Sequence, residues 1–387
     1  MAAPTLHLRS ECKPLEHRSA LTPTTTKALL EAGFKVNVER SPERIFEDDE
    51  FAAVGATLVP EGSWPSAPKD HIIIGLKELP EETFPLHHTH VQFAHCYKGQ
   101  PNWATVLSRF PAGGGTLLDL EFLTDDSGRR VAAFGYHAGY AGAALALMDW
   151  AWVLDHPDGT PMPGVSSYAD QGLLVQEARA SVARGLEKNT EAPRVIVIGA
   201  LGRCGKGAVD LCRAAGIPES SILKWDMAET AAGGPFPEVV ESDIFVNCIY
   251  LNHAIPPFIT HETLAGANRK LSVLCDVSAD TGNLNSPIPV YDVATTFNKP
   301  TLSVPVKAGP PLSVIAIDHL PSLLPREASE AFSSALLPSL LQLGQRTDAR
   351  VWQQAEKLFR EKVATLPNEH GSEKAYTNGH TIPSVSS

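Results

Sequence analysis

The stretch Arg194-Val195-Ile196-Val197-Ile198-Gly199-Ala200-Leu201-Gly202-Arg203-Cys204-Gly205-Lys206-Gly207 decides the fold. An apolar, β-branched run ends in closely spaced glycines. A helix-compatible segment, 208–215, follows, and Ser221-Ile222-Leu223-Lys224-Trp225-Asp226 reads as a second strand that ends in a carboxylate. Strand, glycine turn, helix, strand and acid in that order form the dinucleotide-binding arrangement.

Read as G-x-G-x-x-G, the motif keeps its last two glycines, Gly202 and Gly205, and has Ala200 in the first position. Gly202 lets main chain approach a pyrophosphate, Gly205 lets the helix pack close to the strand, and the helix amides face the phosphates. An ATPase loop, G-x-x-x-x-G-K-S/T, would need glycine at 200 and a hydroxyl at 207. The chain has Ala200 and Gly207, so this loop offers no hydroxyl to Mg²⁺. Asp226 selects the cofactor: a carboxylate there accepts hydrogen bonds from the adenosine ribose and repels a 2′-phosphate. No arginine follows to neutralise that phosphate, which favours NAD over NADP.

The 387 residues suit two domains, and the net charge of −12 without a basic block argues against a nucleic-acid partner. No apolar run reaches the roughly 18 residues of a membrane span; the longest, 142–154, is broken by Asp149. The N-terminus runs straight into a strand pattern rather than a signal peptide, and the C-terminus is not a peroxisomal tripeptide. A cytoplasmic monomer is the expectation. The six cysteines form no C-x-x-C, and no metal site is expected.

Strand signals at 5–9, 35–39, 71–75, 91–94 and 116–122 alternate with helix signals at 22–32 and 102–109. A long helix rich in small residues, 136–154, is expected to bridge two domains. The second half adds strands at 244–248, 271–276 and 313–317, then helices at 325–343 and 348–366. The predicted fold class is α/β: two Rossmann-like doubly wound parallel-sheet domains with a cleft between them. Residues 1–135 plus 321–366 would form a discontinuous substrate-binding domain and 136–320 the NAD domain. A polar, aperiodic tail at 367–387 would be disordered.

Several long words in the chain are unusual: 16–23 (EHRSALTP), 75–78 (GLKE), 93–98 (FAHCYK), 118–122 (LDLEF), 128–135 (GRRVAAFG), 199–205 (GALGRCG), 224–230 (KWDMAET) and 317–327 (IDHLPSLLPRE). Together they resemble the fungal saccharopine dehydrogenase family, NAD-dependent and lysine-forming, over about residues 5 to 345. Alanine dehydrogenase is a more distant likeness. The resemblance implies conversion of saccharopine to L-lysine and 2-oxoglutarate. The cluster His87-His88-Thr89-His90 departs from the family pattern.

The resemblance assigns Lys77 and His95 as acid/base groups. Both follow strand signals, at the carboxyl ends where α/β sites open. A lysine works near neutrality when burial or nearby positive charge lowers its pKa, and an imidazole titrates there by itself. Taken alone, Lys77 also reads as a surface lysine. His95 also reads as a structural histidine, or as a metal ligand with His87, His88 and His90. Arg18 and Arg130 are the implied carboxylate ligands, with Lys77, Gln100, Phe134, Ser278, Ala279 and Asp280 lining the same pocket. The implied cofactor residues are Arg129, Gly202, Arg203, Asp226, Thr230, Tyr250, Val277, Ile317, Asp318, His319 and Leu320. Without the resemblance these are ordinary loop residues, and Arg129-Arg130 is a hairpin tip.

Two other functions stay open: another amino-acid dehydrogenase on this scaffold, and a non-catalytic NAD-binding protein. One expectation concerns thiols. Cys204 lies in the glycine turn, and Cys248 ends what reads as the fourth strand of the NAD domain. Those strands should be neighbours, which brings the two sulfurs within disulfide range.

Overall fold

The computed structural model describes residues 4–251, 253–266, 268–279, 281 and 283–367. Asp280 and the tail from residue 368 onward lie outside the described residues.

The first half builds β1 (Thr5–Leu8), α1 (Pro23–Glu31), β2 (Lys35–Glu39), α2 (Asp48–Ala53), β3 (Thr57–Val59), β4 (Ile72–Ile74), β5 (Thr89–Gln92), α3 (Trp103–Gly113) and β6 (Thr116–Asp119). The six strands are all parallel, in the order β3-β2-β1-β4-β5-β6. β4 is wholly buried, as a central strand covered on both faces must be. The order of strand addition reverses between β1 and β4, where Leu8 sits beside Ile74. In doubly wound sheets ligands bind at the carboxyl ends beside such a point.

Two helices follow, α4 (Gly135–Asp155) and α5 (Gln171–Lys188), then the second sheet. Its elements are β7 (Val195–Ile198), α6 (Arg203–Ala214), β8 (Ile222–Trp225), α7 (Met227–Thr230), α8 (Pro237–Glu241), β9 (Ile244–Asn247), α9 (His261–Leu264), β10 (Val273–Asp276), β11 (Leu302–Val304) and β12 (Leu312–Ile315). The order is β11-β12-β10-β9-β7-β8, parallel except for the antiparallel edge strand β11. Its reversal point lies between β7 and β9, with Ile198 beside Asn247. The strand leading to Cys248 is therefore the third of this sheet in chain order, not the fourth, because no strand covers the outer edge of β8. Its adjacency to β7 is as the topology required.

Helix α4 shares one core with β7, β9, β10 and β12, which makes it part of the second layer system. Glycines let it touch α6 backbone to backbone. A Cβ at Gly139 would stand 1.9 Å from the Cys204 carbonyl oxygen, and one at Gly207 1.9 Å from that of Tyr136. That contact explains why position 207 carries no hydroxyl.

The last helices, α10 (Pro325–Leu340) and α11 (Arg350–Val363), return to the first sheet. On α10, Ser333 Oγ lies 2.7 Å from Thr25 Oγ1 of α1. On α11, Phe359 meets Phe110 of α3 edge-on at 6.1 Å, and Trp352 is fully buried in the core of the first sheet.

Candidate active site

The loop after β7 holds the dinucleotide geometry. Gly199 takes φ 89°, a left-handed conformation that glycine adopts without penalty. A Cβ at Gly205 would stand 2.1 Å from the Gly199 carbonyl oxygen and 2.5 Å from Ala200 Cα, so close packing of α6 on β7 demands glycine. Gly202 differs. It opens α6 with φ −75°, and an added Cβ would meet only the Gly199 oxygen, at 3.4 Å. Among the described residues no other outside atom comes within 4 Å of that Cβ, which leaves the close approach that this glycine of the motif gives a pyrophosphate. The residues present therefore fit a dinucleotide.

Asp226 follows β8 directly. Its carboxylate accepts hydrogen bonds from Leu201 N at 3.0 Å and Met227 N at 2.9 Å, which fixes it against the glycine loop. Thr230 Oγ1 donates to the Asp226 carbonyl at 2.9 Å. Val277 and Ser278 continue β10; Ser278 Oγ donates to Asp276 at 2.6 Å. Ala279 takes φ 46°, and Tyr250, past β9, is exposed. Ile317 and Leu320 are fully buried, main chain included, so neither presents a surface to a ligand in this arrangement.

Cys204 and Cys248 come near enough for the first thiol to perturb the second. No disulfide joins them; both are free, which corrects the sequence expectation. Burial, with Cys204 alongside, pushes the Cys248 thiol well up, so the thiolate needed for disulfide chemistry is scarce.

On the first sheet, Lys77 lies three residues beyond β4 and is buried. Glu11 grips its backbone by accepting from Lys77 N at 2.9 Å, and Arg9 donates to its carbonyl. The ammonium stands 3.6 Å from Asp318 Oδ2, which also takes a 2.9 Å contact from Lys13. Asp318 arrives from the end of β12, so this cluster joins the two sheets. Burial works against ionisation of Asp318, but the charges of Lys77 and Lys13 hold its carboxyl well below the usual range.

His95 lies past β5 with φ 48°, a costly conformation for a non-glycine residue. Its Nδ1 hydrogen-bonds Glu78 Oε1. That bond raises the His95 pKa, against burial and the charge of Lys77. Glu78 responds reciprocally: burial opposes its charge, yet His95 and Lys77 bring the carboxyl down to about 2. Nearby, Glu121 accepts from Lys98 at 2.6 Å and from Arg130 at 3.3 Å. Gln100 Oε1 accepts from Lys98 N at 2.8 Å, and Arg129 lies on an exposed turn closed by Asp125.

Arg18 is buried and forked onto Glu16 through Nε at 2.7 Å and Nη2 at 2.6 Å. Burial alone would raise Glu16; Arg18, with help from Lys77, takes it to about 2. The guanidinium lies 4.3 Å over the Phe134 ring, which stacks on Phe332. His319 is buried beside this group, and burial drops its imidazole to about 4. Arg203 crosses between the sheets to donate to the Arg130 carbonyl at 3.0 Å.

Sequence reading did not single out Glu16, Lys13, Glu121 or Glu11, although three of them lie within or beside the words that carried the resemblance. Spacing cannot say that Glu16 faces Arg18, because the chain between them is irregular. Among the described residues no group of three or more His, Cys, Asp or Glu is arranged for a metal. The histidine cluster is dispersed: His87 reaches the Gly113 carbonyl, His88 that of Ala67, and His90 is buried between Trp64 and Phe110.

Residues 7–141 match the family model of the alanine dehydrogenase/PNT N-terminal domain. A saccharopine dehydrogenase (NAD+, L-lysine-forming) of Emericella nidulans is 63% identical over 372 residues, spanning 95% of this chain and 99% of that one. The protein of the same name from Yarrowia lipolytica is 64% identical over 367 residues, spanning 95% and 100%. Among solved structures, an L-alanine dehydrogenase superposes with TM-score 0.63 at 16% identity, covering 92% of this chain and 94% of that one. A transhydrogenase from Sinorhizobium meliloti gives 0.59 at 15%, covering 88% and 94%, so both share the fold. Identity above 60% over nearly the whole length is decisive: the chain belongs to the saccharopine dehydrogenase (NAD+, L-lysine-forming) family.

Proposed function

We propose that this chain is an NAD-dependent oxidoreductase acting on a CH–NH bond, and that it forms L-lysine as a step of lysine biosynthesis. The reaction is saccharopine + NAD⁺ + H₂O ⇌ L-lysine + 2-oxoglutarate + NADH + H⁺. The observation that carries this reading is near-full-length identity to relatives of that name. Gly202, Arg203, Asp226 and Thr230 would hold the dinucleotide, with Arg129, Tyr250, Val277, Asp318 and His319 around it. Bound NAD supplies the hydride acceptor.

Lys77 takes the proton of the secondary amine, so that nitrogen's lone pair can assist departure of the α-hydrogen as hydride. The resulting imine needs water. His95 removes the water proton during attack, then delivers a proton to the lysine nitrogen as the adduct collapses. Its bond to Glu78 extends the pH range over which His95 holds a proton to deliver. Arg18 and Arg130 bind substrate carboxylates. Both already face a carboxylate, Glu16 and Glu121, which orients each guanidinium before substrate arrives. Gln100, Phe134, Ser278 and Ala279 would line the same pocket.

The test is NADH oxidation with L-lysine plus 2-oxoglutarate, run beside ammonia plus pyruvate. Turnover with the first pair and none with the second is the expected result. The reverse would make the chain an alanine-type dehydrogenase, and no turnover with either would leave a binding protein.

A further inference from the structure

The imidazole of His95 is held from the front by Glu78, but its backbone needs holding too. Residue 95 sits in a left-handed conformation, φ 48°, in irregular chain beyond β5. A non-glycine residue stays there only when its surroundings enforce it. A group that ties down the chain just before it lies one strand away. Asp119 ends β6, which pairs with β5 so that Gln92 sits beside Asp119. Its side chain is almost wholly buried, and it divides its two oxygens. Oδ2 accepts from Ala94 N, the residue before His95, at 3.3 Å. Oδ1 accepts from Glu121 N at 2.9 Å, capping the short 3₁₀ turn Leu120–Phe122 that presents Glu121. One carboxylate thus ties the His95 loop to the Glu121 turn. Glu121 is itself among the charges that raise His95.

We propose that Asp119 is a positioning residue for the reaction: it sets where His95 stands relative to Glu121, and touches neither substrate nor cofactor. This rests on the reading of His95 as an acid/base group. A buried acid with two amide donors is otherwise an ordinary structural cap. The two roles separate experimentally, because a cap would matter equally with or without His95, whereas a positioning residue has nothing left to position once the imidazole is gone.

The experiment is a double-mutant cycle on the full chain, with Asp119→Ala and His95→Gln singly and together, and Asp119→Asn as the conservative variant. The readouts are kcat, KM for L-lysine and NADH affinity by fluorescence. Asp119→Ala should lower kcat about 10- to 100-fold, the range expected when a catalytic group is displaced by about an ångström. KM and NADH affinity should change little. Asp119→Asn keeps one acceptor oxygen and should recover part of the loss; it also decides the question if Asp119→Ala does not fold. In the His95→Gln background either Asp119 change should have no further effect on kcat. Equal losses in both backgrounds, or kcat near wild type for Asp119→Asn and Asp119→Ala alike, would overturn the proposal. If His95→Gln alone leaves kcat unchanged, the parent reading of His95 fails, and that result is distinct from a failure of Asp119.

Discussion

Lys77, just past β4 of one sheet, and Asp318, just past β12 of the other, face each other at 3.6 Å. The two carboxyl edges therefore meet at a charged contact, reinforced by Lys13 on Asp318 at 2.9 Å. Each sheet has its own point at which the strand order reverses. Only their meeting brings the Lys77 ammonium of the first sheet against a carboxylate of the second. The contact also draws the negative charge of Asp318 toward the ammonium, so any ligand that enters between the sheets must re-pair these charges.

Lys77→Met should keep NADH binding and cut turnover by roughly 10²-fold or more, the usual scale for loss of a positioned general base. Methionine preserves the length of the buried stem. Fluorescence titration and steady-state kinetics separate the two effects. Turnover near wild type would remove Lys77 from the mechanism.

Glu78→Gln should move the His95 ionisation to lower pH. The Glu78 hydrogen bond is the first cause of the raised His95 value, and its loss leaves burial and the Lys77 charge, both of which favour the neutral ring. Glu121 remains as the opposing charge. The limb of the pH–rate profile that reports His95 should shift acidward. An unmoved limb would mean that the bond does not tune this group.

Much of this architecture was legible because its signals are local. The buried β-branched runs at 72–74 and 195–198 read as central strands, and Thr22-Pro23 read as the start of a helix, where the structure has Thr22 as N-cap with Pro23 first in α1. Short elements were not legible. β3 has only three residues, none of them buried, and β11 is a three-residue antiparallel edge. Helix α5 went unassigned although its buried Leu174, Ala178 and Val182 recur at fourfold spacing. The 116–122 run reads as one strand, but the strand stops at Asp119 because that side chain caps the turn that follows. In the site, strand ends marked Lys77 and His95. The partners Glu16, Glu121 and Asp318 depend on how loops from distant segments pack, and no periodicity encodes that.

Asp149→Asn should stabilise the protein above neutral pH and do little in acid. Asp149 is buried in the middle of α4, and burial pushes its carboxyl up to about 7 against the pull of the Ser313 hydroxyl. The folded state therefore holds a proton that the unfolded chain, near 3.8, has released. Stability contributed by the neutral acid is complete below the unfolded value and is lost as pH rises from about 4 through about 7. The ceiling on that loss is about 4 kcal/mol. Asparagine cannot ionise, so the Tm difference between variant and wild type should grow from pH 5 to pH 8. A difference that stays flat would mean the carboxyl is ionised in the folded protein.

Asp226→Ala should weaken NADH binding and narrow the preference for NADH over NADPH. The carboxylate is fixed by Leu201 N and Met227 N, so it cannot swing away from a 2′-phosphate. Removing it deletes both a ribose acceptor and a repulsive charge. Kinetics with both cofactors provide the check; wild type using NADPH as well as NADH would contradict the assignment.

The two glycines of the turn should respond oppositely to the same substitution. Gly205→Ala places a methyl 2.1 Å from the Gly199 carbonyl oxygen and 2.5 Å from Ala200 Cα, both backbone atoms that cannot step aside. Overpacking of that kind costs about 1–3 kcal/mol, so the melting temperature should fall whether or not cofactor is present. Gly202→Ala meets only one oxygen, at 3.4 Å, and the backbone there, φ −75°, suits alanine. Its cost to the free protein should stay below about 1 kcal/mol, that of a weaker N-cap. The methyl would instead occupy space meant for the pyrophosphate, weakening NADH about tenfold or more, equivalent to about 1.4 kcal/mol. Thermal melts without cofactor and NADH titrations of both variants give a two-by-two outcome. If Gly202→Ala binds NADH as wild type does, the space before Gly202 is not where the phosphates lie, and the dinucleotide must enter elsewhere along the second sheet.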